Sequence, residues 1–399
     1  MRSKSDKKKP LVPSLRFPEF REAGAWEVKY GNSLFIQISN KEHNASLPVL
    51  AITQENGAIP RHLIDYHVSV TEKSLKSYKV VDIGDFIISL RTFQGGIEYS
   101  DYKGICSPAY IVLRAATEEV INDFFRHYFK TEKYIADLNR NLEGLRDGKM
   151  VSYKQFSEIK LPLPISPEQQ KIAHCLSSLD EVIGLQAKKV QALKQHKKGL
   201  MQQLFPAEGE TTPRLRFPEF REAGAWEVKR LGEVADVVAA GDLNVDDYST
   251  ERTDKYIFPI YSNSVAKKGL YGFCATPKYK ENSVTVTARG TLGVAFHRNC
   301  NFAAIGRLLV ISNLNVVNPY FLQEIWNHSV QLPLEDGGIP QLTAVKAKPA
   351  KVAFPRNTHE QQKIAHCLSS LDEVIGLESD KLDALKNLKK GLMQQLFPQ

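Results

Sequence analysis

Apolar residues recur at alternating four- and three-residue spacing in two stretches of the chain. In the first they fall at Ile172, Leu176, Leu179, Ile183, Val190, Leu193, Leu200 and Leu204; in the second at Ile364, Leu368, Leu371, Ile375, Leu382, Leu385, Leu392 and Leu396. This spacing is the heptad seam of a long helix that packs against another. Gln186 and Lys197 interrupt the first seam and Glu378 and Lys389 the second, and polar seam positions weaken packing while fixing register. Pro167 just before the first helix and Pro206 just after it read as punctuation outside a helix. Each helix is expected to run for about 38 residues and about 55 Å.

The two stretches are copies. EQQKIAHCLSSLDEVIGL begins at Glu168 and again at Glu360, KKGLMQQLFP ends at Pro206 and Pro398, and 32 of the 39 aligned positions are identical. A second block, LRFPEFREAGAWEVK, stands unchanged at Leu15 to Lys29 and at Leu215 to Lys229, whereas the segments between the blocks share no comparable similarity. The chain therefore divides into a basic tail (1–14), a variable domain (15–167), a helix (168–206), a linker (207–214), a second variable domain (215–359) and a second helix (360–399). An order repeated in this way lets the halves be related by a pseudo-two-fold axis, which makes the helices antiparallel. Two parallel helices, or a helix pair buried in one globule, form the alternative.

Both variable domains read as mixed. In the first, Val80 to Leu90 and Pro108 to Ala115 predict buried strands and Asp123 to Leu138 a helix; in the second, Ser283 to Ala288 and Phe302 to Ser312 predict strands and Pro319 to His328 a helix, with Asn318 as its N-cap. The fold class is α+β, with two mixed α/β domains separated by two long antiparallel coiled-coil helices.

Charge changes this picture little. Of the net charge of +8, the first ten residues supply +4, a composition that permits an anionic partner without demanding one. The five cysteines are odd in number and widely spaced, so reduced thiols in a cytoplasmic, membrane-free setting are expected. No Gly-x-Gly loop, phosphate loop, HExxH or Gly-x-Ser-x-Gly is present, and no catalytic residue is assigned. Asn318-Pro319-Tyr320-Phe321 lacks the second proline of an adenine methyltransferase site. His174-Cys175 and His366-Cys367 sit near the starts of separate helices, so no metal site is expected.

The residues left for function are basic and amide side chains in predicted loops. They are Arg91, Thr92, Gln94, Arg146, Lys149, Tyr153 and Lys154 in the first domain, and Asn263, Lys267, Lys268, Arg289, Arg298, Gln341 and Thr343 in the second. Arg reads guanine and Asn or Gln reads adenine by paired hydrogen bonds in the major groove, while Lys and Thr commonly hold phosphates.

The runs into each helix, GLRDGKMVSYKQFSEIKLPLPISPEQQKIA and GGIPQLTAVKAKPAKVAFPRNTHEQQKIA, together with Trp26-Glu27 and Trp226-Glu227, resemble the specificity subunits of type I restriction-modification enzymes over nearly the whole chain. The resemblance implies two target-recognition domains that read the two unlike halves of a bipartite duplex DNA site, held by a helical spacer. It also implies a non-catalytic protein that recruits two modification subunits, which methylate adenine, and restriction subunits that cut DNA. S-adenosylmethionine, Mg2+ and ATP are then expected on those partners and no cofactor on this chain. A coiled-coil scaffold that binds proteins and not DNA is the competing reading.

Overall fold

The computed structural model describes residues 11–43, 46–64, 72–140, 151–330 and 341–398. The chain folds as two compact units, one formed by residues 1–186 with 381–399 and the other by residues 187–380. Neither unit coincides with a linear domain, because the boundary falls inside both long helices. These span Ser166–Leu204 and Thr358–Leu396. Pro167 lies within the first turn of its helix and not before it, at a position where a missing N–H costs no hydrogen bond.

Each unit combines a variable domain with the start of its own helix and the end of the other. In unit 1, Ile172 and Leu176 share a core with Leu396 and Phe397, and farther along Lys389 pairs with Asp180 at 2.6 Å. Unit 2 repeats the arrangement, with Ile364 and Leu368 beside Leu204 and Phe205 and Lys197 on Asp372 at 2.8 Å. Within each unit the index of one helix rises as that of its partner falls, so the packing is antiparallel. None of the predicted seam residues is exposed. The interrupting residues Lys197 and Lys389 are the ones that make these ion pairs, and Glu378 pairs with Lys189 at 2.5 Å. Three of the four gaps in the apolar pattern are therefore charged register pins, while the fourth, Gln186, is buried.

Unit 1 opens with β1 (Glu27–Tyr30) and β2 (Phe35–Ile38), and continues through β3 (Phe86–Ile88), β4 (Glu98–Tyr99), β5 (Ile111–Ala115) and β6 (Lys160–Leu163). An antiparallel sheet runs in the order β2-β5-β3-β4. β1 pairs with β6, which ties the entry of the domain to its exit. The hairpin Leu50–Thr53 with Gly57–Pro60, and the pair Lys79–Val81 with Gly104–Cys106, form two further small sheets.

Unit 2 contains β7 (Glu227–Arg230), β8 (Asp236–Ala239), β9 (Phe258–Tyr261), β10 (Ser283–Val286), β11 (Ala295–Arg298), β12 (Ala303–Ala304), β13 (Leu309–Ser312) and β14 (Lys351–Phe354). Its main sheet, β8-β13-β10-β11, has the connectivity of the sheet in unit 1, and β7 pairs with β14 as β1 does with β6. β9 lies between an antiparallel neighbour, Leu270–Cys274, and the parallel β12.

Three predicted elements are interrupted. Val80–Leu90 divides at Gly84, whose φ is +93°, into Lys79–Val81 and β3. Phe302–Ser312 divides at Gly306 and Arg307, both left-handed at φ 66° and 68°. The helix predicted over Asp123–Leu138 is two, Asn122–Tyr128 and Glu132–Arg140, because the Thr131 hydroxyl donates to the Tyr128 carbonyl and accepts from the Tyr134 N–H. Asn318 caps Pro319–Ser329 as predicted, accepting from Phe321 N at 3.0 Å.

The identical blocks explain themselves in the cores. Arg16 forks onto buried Glu168 at 2.8 and 2.7 Å, and Arg216 onto Glu360 at 2.7 and 3.0 Å. Next to each glutamate, a glutamine amide joins the helix start to the variable domain. Gln169 accepts from Ile121 N and donates to the Glu119 and Pro164 carbonyls. Gln361 does the same with Asn318 N and the Val316 and Pro355 carbonyls. These partners are backbone groups, so the variable sequences satisfy them whatever their side chains.

Candidate nucleic-acid interface

The hairpin joining β3 to β4 carries Arg91 and Gln94. Its shape is fixed by side chains that bind its backbone. Ser89 N donates to the Thr92 hydroxyl at 2.7 Å, while Gln54, Asn139 and Lys130 donate to the carbonyls of Arg91, Phe93 and Gly95 at 3.4, 2.9 and 3.0 Å. At Gly96, with φ +79°, a Cβ would stand 2.0 Å from the Phe129 carbonyl oxygen, so only glycine turns the chain here. Arg91 and Gln94 project from this frame, exposed.

The topologically equivalent hairpin of unit 2, between β10 and β11, carries Arg289. Here the Thr287 hydroxyl donates to the Thr291 carbonyl and accepts from Val294 N at 2.9 Å; Trp326 Nε1 donates to the Gly293 carbonyl at 3.0 Å, and Ala288 N donates to Asn263 Oδ1 at 2.7 Å. Arg289 is exposed. Beside it, Lys267 and Lys268 are exposed on the turn that follows β9.

Several predicted contacts prove to be framework. Thr92 is 1% exposed and its oxygen is engaged by Ser89 N. Asn263 uses both ends of its amide, accepting from Ala288 N and donating to the Gly306 carbonyl at 2.6 Å. Arg298 is 2% exposed, donates to Thr285 Oγ1 at 2.9 Å and the Lys268 carbonyl at 2.8 Å, and lies 3.5 Å from the Tyr261 ring centroid. Burial lowers its pKa to about 10, which leaves it charged at neutral pH. These three are reread from DNA contacts to positioning residues, since Thr92 and Arg298 are buried and Asn263 is committed to two backbone groups, which withdraws them from a base.

The remaining predicted residues divide by exposure. Tyr153 is half-buried and donates to the Phe35 carbonyl at 3.0 Å; the neighbouring Lys154 is exposed. Gln341 is half-buried, and Thr343 caps the short helix Ala344–Ala347 by accepting from Lys346 N. Arg146 and Lys149 lie outside the described residues. Sequence reasoning missed Gln54, Asn139 and Lys130, which hold the first hairpin from distant elements, and no local pattern announces them. It also left the roles of Arg16, Glu168 and Gln169 unassigned, although their exact repetition was a signal.

Among the described residues no three His, Cys, Asp or Glu side chains gather as metal ligands, and no helix is long and apolar enough to cross a membrane. The cysteines are free, and burial pushes the Cys106 thiol up to about 12.

The type I restriction modification DNA specificity domain matches this chain twice, over residues 27–195 and 224–387. A type I specificity subunit of Mycoplasma pneumoniae is 26% identical over 282 residues, 70% of this chain and 72% of its own. The type I restriction enzyme MjaVIII specificity subunit of Methanocaldococcus jannaschii is 29% identical over 236 residues, 56% of this chain and 51% of its own. The type I restriction-modification system S subunit of M. genitalium has the same fold, with a TM-score of 0.63 at 16% identity over 98% of this chain and 100% of that one.

Proposed function

The chain belongs to the type I restriction modification DNA specificity family, and on that premise we propose that it is the sequence-reading subunit of such an enzyme, each unit reading one half of an asymmetric bipartite site in duplex DNA. One observation carries this reading. The two units present topologically equivalent hairpins on pinned frames, and the exposed residues differ, Arg91 and Gln94 on one and Arg289 on the other. Arginine suits guanine and glutamine suits adenine, so unlike hairpins on one frame suit unlike half-sites. Lys154, Lys267 and Lys268 suit phosphates.

The repeated blocks suit a different task. Arg21, Glu22 and Val28 are exposed in one unit and Arg221, Glu222 and Val228 in the other, and folding alone gives exposed positions no reason to be identical. Two copies of one surface fit two copies of one partner, which we assign as two modification subunits, with restriction subunits completing the complex. S-adenosylmethionine, Mg2+ and ATP belong in this reading to those partners, and the chain contributes recognition without bond-breaking chemistry.

Duplex binding measured against salt tests the proposal. Phosphate contacts make log K fall linearly with log salt, and a steep slope is expected. A protein-binding scaffold would show no salt-dependent duplex binding.

A further inference from the structure

Among the described residues of unit 2, the left-handed residues other than glycine are Lys267, Lys268, Asn282, Arg307 and Asn313. Asparagine is an ordinary occupant of that region, because its short polar side chain bonds locally. The other three are long basic residues, which gain nothing locally from the conformation. Among the described residues of unit 1, positive φ occurs only at glycines.

The three basic residues occupy two turns that the fold brings together. β9 and β12 are parallel, with Tyr261 opposite Ala304, so the turns that follow them leave from the same end. Asn263 fastens the turns to each other. From the first turn its amide reaches the Gly306 carbonyl, immediately before Arg307, and it also receives Ala288 N from the hairpin that bears Arg289. The buried Arg298 guanidinium holds the Lys268 carbonyl, and no carboxylate lies within ion-pair reach of it among the described residues. Lys267, Lys268, Arg289 and Arg307 are exposed, and none of them is ion-paired among the described residues.

We propose that Lys267, Lys268 and Arg307 form a pre-set grip on the DNA phosphate backbone, with Arg307 a nucleic-acid contact and Asn263 and Arg298 the residues that position the grip. The proposal rests on the DNA-reading function given above. Strained backbone held by surrounding hydrogen bonds is characteristic of functional turns, and basic residues whose backbone is held before binding have less freedom left to lose when they meet a phosphate. The grip adds affinity without selecting a base.

The conformation supplies its own test. Glycine adopts positive φ without steric cost, so Arg307→Gly and Lys268→Gly remove a charge while relieving the backbone. In the full chain assembled with its modification subunits, and with a random-sequence duplex as probe, each variant should reduce the slope of log K against log salt by about 0.9. Each should keep or raise the melting temperature. Asn263→Ala removes no charge, yet should also reduce the slope by loosening Arg307.

If wild type binds with a steep slope and both glycine variants match it, the grip is wrong while the DNA-reading function stands. If wild type shows no salt-dependent binding, the function itself fails. A folded Arg307→Gly protein that keeps its slope but methylates an altered sequence would make Arg307 a base reader and overturn the grip.

Discussion

Units 1 and 2 share an aspartate–lysine pair between their helices and differ in what the variable domains set against it. Asp180 with Lys389 in unit 1 and Asp372 with Lys197 in unit 2 are equivalent pairs on near-identical helices. Against the first stands His127, 3.1 Å from Ser177 Oγ and 3.8 Å from Asp180. Against the second stand Tyr320, bonded to Asp372, and Glu324, 2.8 Å from Lys197. The hairpins follow the same rule, with equivalent frames and unlike exposed residues. Where the repeated segments touch variable ones they mostly bind backbone groups or adaptable polar residues, and this lets one scaffold carry two recognition surfaces.

The comparison can be broken most severely by removing one unit. A fragment from Met1 to Pro206 lacks Leu396 and Phe397, which complete the core of unit 1, but it carries Leu204 and Phe205 in the same LMQQLFP context. It should dimerise through its own helix and, with modification subunits, methylate an interrupted palindrome built from one half-site. A fragment that sediments as a monomer at micromolar concentration would refute the equivalence of the units.

Cutting the buried fork comes next. Arg16→Ala strands Glu168 and should cost about 3–5 kcal/mol, and Arg216→Ala should cost unit 2 a similar amount through Glu360. Denaturant unfolding of both variants checks this, and a large loss in only one would show that the forks are not equivalent.

A smaller effect separates the units by pH. Burial, assisted by Lys389 and Arg126 and opposed by Asp180, depresses His127 from its ordinary 6.5 to about 4. As pH falls below 6.5, the unfolded chain takes up this proton before the folded one does. The stability conferred by neutral His127 is therefore complete above 6.5 and declines toward pH 4. His127→Gln should flatten that part of the stability profile of unit 1, and an unchanged profile would remove His127 as its cause.

Much of this architecture was legible because repeats and heptads are local patterns. The spacing of Ile172 to Leu204, its copy, and the capped start at Asn318 needed no tertiary information. Even the loop carrying Arg91 and Gln94 could be picked out, since its polar residues follow a buried strand. What the pattern could not distinguish was a polar residue facing solvent from one engaged by backbone. Thr92, Asn263 and Arg298 resemble Arg91 and Arg289 in sequence, yet they are the supports of the hairpins and turns. The reversal at Gly306 and Arg307 was equally hidden inside an apolar run, because hydrophobicity reports burial and not the sign of φ.

The central claim is that each unit reads its own half-site. Its most direct test is to map the sequence methylated by the complete complex carrying wild type, Arg91→Ala or Arg289→Ala. Each substitution should relax one half-site only, by about 1–3 kcal/mol of discrimination at the affected base pair, and the two should affect opposite halves. Relaxation of both halves by one substitution, or of the same half by both, would contradict it.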